Sequence, residues 1–221
     1  KFDNVVLWEA GKGNLYDLEL FYESEYGTDK IKSYFGMRSV SLSDNSLLLN
    51  GKPIFMRLVL DQGFYPDGIW TAPTEEALKN DIILAMKAGF NGARLHQKVF
   101  EPRYLYWADK LGYIVWGESP SWGFDLDEEA GYEALMGEWP EIIQRDINHP
   151  SIIGWAPLNE THKPQRDASI LALYNLTKTL DPTRPVIDTS GYIHVKSDIM
   201  DIHDCTQDPE VFEKLLKDMN N

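Results

Sequence analysis

The chain has 221 residues, enough to bury a sizeable core but short for two complete large domains. Hydrophobic residues at 43% and charged residues at 25% are globular proportions and argue against disorder. The net charge of −14 argues against nucleic acid and anionic lipid as partners, since Lys and Arg dominate the binding of both. No apolar run reaches the ~18 residues of a membrane span. The lone Cys205 allows neither an internal disulfide nor a Cys-rich zinc site, and leaves the compartment open between cytoplasm and periplasm or exterior. Seven Trp, eleven Tyr and nine Phe suit stacking on sugar rings as well as they suit a core.

The numbering opens on Lys1 with no signal-peptide pattern, so the start reads as cut from something longer. Residues 1 to 50 read as short strands: Leu15–Leu20 alternates like a half-buried strand, as does Ser39–Leu42, with turns at Asp44-Asn45 and Asn50–Pro53. Fifty such residues are too few for a sandwich of about 100, so they read as the end of one. Ile54–Leu60 is a dense apolar run, predicted to be a strand buried on both faces. Thr74 then caps a helix with Leu78, Ile82, Ala85 and Met86 at helical spacing, ending near Gly89. The cycle continues with strand 92–96, helix 102–111, strand 113–116, helix 139–147 and strand 151–156. Helix 167–180, strand 185–187, strand 198–202 and a last helix from Pro209 to Met219 complete it. Pro157 is tolerable at a strand's end.

Such alternation predicts βαβ units on a parallel sheet, doubly wound or barrel. Six units fill about 170 residues, and eight at that spacing would approach a (β/α)₈ barrel, so the chain reads as two units short. Ligands gather outside the carboxyl ends of parallel strands. Those ends are polar in chain order: Asp61 and Gln62, Arg94 and His96, Glu118, Asn159 and Glu160, Asp188, then His203 and Asp204. Glu160 follows apolar Ile152–Trp155, so the sheet delivers it to the mouth. A carboxyl beside Trp155 and Trp116 would be partly desolvated, which suits a general acid. Asn159 offers an amide to a substrate hydroxyl. As a plain alternative, the pair caps the helix that follows.

The stretch Arg145–Glu160, containing Asn148-His149-Pro150-Ser151 and Asn159-Glu160, strongly resembles the acid/base signature of glycoside hydrolase family 2. Phe35–Arg38 and Leu49–Pro53 are similar to its junction between an immunoglobulin-like sandwich and the catalytic barrel. Asp81–Arg94 and Tyr106–Trp116 are similar to its barrel helices and strands, so the likeness spans about residues 35 to 190. The resemblance implies a TIM (β/α)₈ barrel, here of about six units over residues 51–221, preceded over 1–50 by the last strands of a sandwich. It implies a retaining β-glycosidase of the β-galactosidase or β-glucuronidase type. Carried over by position, Glu160 is the acid/base, Asn159 contacts the sugar 2-hydroxyl, Arg94 supports the nucleophile, and Glu118 binds metal in some members or shapes the pocket. Asp61, His96, Trp155 and His203 complete the expected substrate contacts. Departures are Leu95-His96-Gln97-Lys98, where many members have Ser-His-Tyr-Pro after the Arg and one further residue, and Asp61-Gln62, where many have His-Glu.

The family's nucleophile is a Glu closing a seventh strand, and none of the late acids fits; Glu210 and Glu213 sit in a helix. The expectation is therefore an inactive fragment of a larger enzyme, taking a carbohydrate, needing no cofactor, and free to self-associate through open barrel edges. Two other readings compete. One is a non-catalytic sugar-binding barrel. The other is a metal-dependent hydrolase using Asp61, His96, Glu118 and His203, though no His-x-His or His-Glu-x-x-His spacing supports it. His149 reads as structural, bonded to backbone, while His162 and His194 read as either cleft or loop residues.

Overall fold

The computed structural model describes residues 3–161 and 166–218. It opens on an antiparallel ribbon, β1 (Tyr16–Ser24) and β2 (Gly27–Phe35), in register from Tyr16↔Phe35 to Ser24↔Gly27. The half-burial expected of Leu15–Leu20 does not extend along the ribbon. Leu20, Phe21 and Tyr22 are exposed, because two strands alone have no second layer to bury against. A three-stranded antiparallel sheet follows: β3 (Val40–Ser43), β4 (Ser46–Leu49) and β5 (Lys52–Pro53). Asn50-Gly51 joins β4 to β5 with φ of 55° and 74°, the backbone of a two-residue type I′ turn. The Asn50 amide adds its own ties, accepting from the Ser39 N–H and donating to the Trp8 carbonyl.

The parallel sheet contains β6 (Leu58–Asp61), β7 (Gly92–Leu95), β8 (Ile114–Glu118) and β9 (Ile152–Ala156), hydrogen-bonded in sequential order. Strand order that never reverses belongs to a barrel, whereas a doubly wound sheet reverses at its centre. Residues of α1 (Glu75–Lys87), α2 (Pro102–Leu111), α3 (Glu129–Asp146) and α4 (Asp167–Leu180) pack with Ala93, Leu95, Val115, Ile152 and Trp155 on one face. The other face gathers Ile114, Trp116, Ile153, Ala156 and Ile187 with Trp8, Leu47 and Leu49, and among the described residues no helix residue joins it. That face is the interior of a barrel wall.

Local signals set the helix ends. Thr74 Oγ1 accepts the Ala77 N–H at 3.2 Å, Pro102 starts α2, and Gly112 ends it at φ 70°. Helix α3 begins ten residues before the expected Trp139. Pro140, which suits a helix start, lies inside it.

Three strand expectations change. Ile54–Leu60 is not buried on both faces: only Leu58–Leu60 lie in β6, Phe55 is exposed, and Leu60 is 54% exposed. Strand β6 is the edge of its sheet, so one side has no neighbour. The expected strand 185–187 is reduced to a parallel bridge, Trp155↔Val186, with the Trp155 and Ile187 amides donating to Pro185 and Trp155 carbonyls. Residues 198–202 form no strand. Instead the Asp198 carboxylate takes Tyr174 Oη, Lys178 Nζ and the Val186 N–H. Beyond β9 the chain kinks at Pro157 into β10 (Leu158–Asn159), which pairs with β11 (Thr189–Ser190). Helix α5 (Pro209–Asp218) buries none of its residues.

Candidate active site

The ladder decides which side chains enter the barrel. Arg94 pairs with Trp116, and Glu118 with Ala156, both partners being interior residues, so Arg94 and Glu118 point inward together. Arg94 Nε donates to Glu118 Oε2 at 2.7 Å. Its Nη2 donates to Asn159 Oδ1, and its Nη1 lies 3.2 Å from His203 Nε2. The Glu118 side chain is fully buried, and a buried carboxylate is tolerable only when paired and bonded. Its second oxygen accepts from the backbone and side-chain nitrogens of Gln97, both at 3.1 Å. His96 Nδ1 sits 3.0 Å from that oxygen but is out of line for a hydrogen bond.

Glu160 closes the other wall. It stands at φ 49°, a left-handed backbone that costs a non-glycine residue about 1–2 kcal/mol. The bond from its N–H to the Ser190 carbonyl at 2.7 Å holds it there. Its Oε1 lies 2.8 Å from His203 Nδ1. Asn159 is 2% exposed, and its Nδ2 has no hydrogen-bond partner among the described residues. A cleft of about 360 Å³ opens here, lined among others by Trp122, Phe124, Asn159, Glu160 and Tyr192. A larger cavity of about 560 Å³ lies between the ribbon and the loops that follow α3 and α4, and contains none of the strand-end residues.

Trp155, expected beside Glu160, faces the other way. The β8–β9 register shifts between Val115 and Trp116, so an extra residue of β9 turns Trp155 into the helix layer. There it packs edge-on to Trp139 and donates to Asp181, with no face left for a substrate. Trp116 is interior and lies over Gly154.

Asp61 also turns outward, to Tyr104 Oη and the Gly63 N–H; burial, the largest influence, raises its carboxyl above the ordinary value despite those bonds. The four groups of the metal reading therefore do not converge, and no trio of His, Cys, Asp and Glu among the described residues is placed to hold an ion. His203 has both ring nitrogens engaged by protein. His149 bonds to the Asp109 carboxylate at 2.6 Å rather than to backbone. His194 and Asp188 clasp each other in the 188–201 loop. His162 lies outside the described residues.

Gln97, Ser121 and Trp122 are additions that the strand-end pattern did not reveal. Gln97, at φ 54°, bonds Ser121 Oγ and the Trp122 N–H, and Trp122 Nε1 donates to the Asn159 carbonyl. The signal for Trp122 was weak: an aromatic residue a few positions past a strand end.

The family model for the TIM barrel domain of glycosyl hydrolases family 2 matches residues 40–221. The chain belongs to that family. A β-galactosidase of Vibrio vulnificus (strain YJ016) is 32% identical over 190 residues, 81% of this chain and 18% of that protein. The chain therefore spans under a fifth of that relative's length. Among solved structures, a β-D-glucuronidase of Dictyoglomus thermophilum superposes with a TM-score of 0.75 at 26% identity, covering 82% of this chain and 34% of that one. A β-glucuronidase of Parabacteroides merdae also gives 0.75, at 24% identity over 82% of this chain and 24% of its own; at that identity it shows the fold alone. This family 2 barrel accordingly keeps its polar residues at the carboxyl ends of its strands. Among the described residues no helix is long and apolar enough to cross a membrane.

Proposed function

We propose that the whole protein is a retaining β-glycosidase of the β-galactosidase or β-glucuronidase type, with Glu160 as its acid/base. The observation that carries this is the Asn159-Glu160 pair at the cleft. The glutamate is held on a left-handed backbone, and the neighbouring buried amide has an N–H without a partner among the described residues. A buried donor without a partner costs about 1–3 kcal/mol, and a sugar hydroxyl in the cleft would relieve that. Retaining chemistry needs two carboxyl groups about 5–5.5 Å apart, one to protonate the leaving oxygen and one to attack the anomeric carbon. Glu118 is engaged by Arg94 and Gln97, so we assign the nucleophile to a segment outside these 221 residues. Arg94 then lies ready to steady it. Residues 1–50 are, in this reading, the closing strands of a sandwich domain, and 51–221 part of the barrel.

In the whole protein, Glu160→Gln is expected to lower kcat on a β-galactoside or β-glucuronide by about 10²–10⁴-fold. An unchanged rate removes Glu160 from the chemistry. The 221-residue chain alone is expected to be inactive, and Glu160-dependent turnover by it would overturn the assignment of the nucleophile. The uncovered edge of β6 offers a surface for self-association, and a monodisperse monomer in light scattering would count against that use.

A further inference from the structure

His203 lies between two groups of opposite demands. On one side, Arg94 Nη1 is 3.2 Å from its Nε2. A guanidinium can only donate, so the ring nitrogen facing it presents a lone pair. The ring proton is thereby assigned to Nδ1, which lies 2.8 Å from Glu160 Oε1. A neutral Nδ1–H imidazole donating to a carboxylate satisfies all three groups at once. A second proton on Nε2 would set N–H against N–H.

The seat of the ring is built for this placement. A Cβ on Gly191, which sits at φ 108°, would lie 2.6 Å from His203 Nδ1, so only glycine lets the ring lie against the backbone there. Ser190 Oγ is 3.1 Å from Nε2, and its single hydroxyl proton goes either to that lone pair or to Asp201, whose carboxylate is 4.0 Å from the ring. Tyr192 packs at 6.3 Å between ring centres. Among the described residues, Arg94, Glu160 and Asp201 are the charged groups against the ring.

We infer that His203 is a positioning residue for Glu160: its Nδ1–H holds the carboxylate in the cleft, while Arg94 fixes the ring through Nε2. The idea rests on the proposed acid/base role of Glu160 for its catalytic consequence, but not for its tautomer. Glu160 must return to one place as an acid in the first step and a base in the second, and a misplacement of about 1 Å can cost about 10²-fold.

The test has two arms. Long-range ¹H–¹⁵N correlation of the 221-residue chain at neutral pH, with the His203 signals assigned by their loss in His203→Gln, is expected to show the Nδ1–H tautomer. An Nε2–H tautomer or a protonated ring overturns the inference. In the whole protein, His203→Asn retains an N–H near the Nδ1 position, and His203→Gln moves it out to the Nε2 position. The first is expected to keep kcat/KM within about 10-fold, and the second to lose about 10²-fold. Equal rates in the two variants overturn the positioning role. Should Glu160→Gln leave activity intact, the glycosidase reading fails while the tautomer result still stands or falls by itself.

Discussion

Strands β9 and β6 are both apolar in sequence, and they end differently. Every residue of Ile152–Ala156 is buried, whereas Leu60 in β6 is more than half exposed. The difference is in the neighbours. On one side β9 has β8 and on the other the Trp155↔Val186 bridge, with α3 and α4 in the outer layer and Trp8 and Leu49 in the inner cluster. Among the described residues, strand β6 has β7 alone. An apolar run states what a strand can bury, and the adjoining strands decide how much of it is buried.

The widest gap between the two strands should appear on truncation. Ile153→Ala is expected to destabilise by about 2–5 kcal/mol, because it empties a fully buried interior position. Leu60→Ala should lose under about 1 kcal/mol, since most of that side chain already meets water. Equal urea midpoints for the two variants would break the comparison.

A smaller effect tests how β8 and β9 fit together. A Cβ at Gly154 would lie 2.4 Å from the Trp116 ring, and one at Gly117 would lie 2.6 Å from the Trp155 ring. Each glycine leaves room for an indole of the neighbouring strand, on opposite faces of the sheet. Gly154→Ala and Gly117→Ala are each expected to cost about 1–3 kcal/mol through overpacking. Alanine accepted at both positions in thermal unfolding would mean the wall is loose where the structure has it tight.

The smallest effect belongs to the 188–201 loop, where expected strand gave way to side-chain ties. Burial lowers the His194 ring's affinity for a proton, but the Asp201 carbonyl and Asp188 outweigh it, so the net shift is upward. That contribution is complete below about pH 6.5 and fades as pH rises through the raised value. Burial likewise pushes Asp198 up, but Tyr174, Lys178 and the Val186 N–H hold it below the ordinary carboxylate range. Its contribution is present above about pH 3.9 and fades as pH falls through the lowered value. Protection of the amides in residues 188–201, taken relative to their intrinsic exchange rates, should therefore fall toward both extremes, and His194→Gln should flatten the alkaline side alone. Protection that ignores pH would mean the segment is held by something else.

Much of the site was legible because motif and topology agreed. Arg94, Glu118, Asn159 and Glu160 close successive strands, and the structure joins Arg94 to Glu118 and Asn159 directly. Trp155 was misplaced because one extra residue in β9 reverses which face it occupies, and nothing within the strand's own sequence announces a bulge. Gln97 was passed over because its role depends on a left-handed backbone that a glutamine does not advertise. The pairing of His203 with Glu160 joins positions 43 residues apart, with α4 and β11 between them.

By itself the sequence determined the ends of α1 and α2, the Asn50-Gly51 turn, the order of the four parallel strands with their helices, and the placing of Arg94, Glu118 and Asn159 at strand ends. These follow from side-chain period and turn chemistry acting over a few residues. Only the tertiary structure decided which strands are buried, which way Trp155 faces, and that Arg94 meets a histidine 109 residues further along the chain. Those depend on what lies across the ladder, and a strand carries no record of its neighbour.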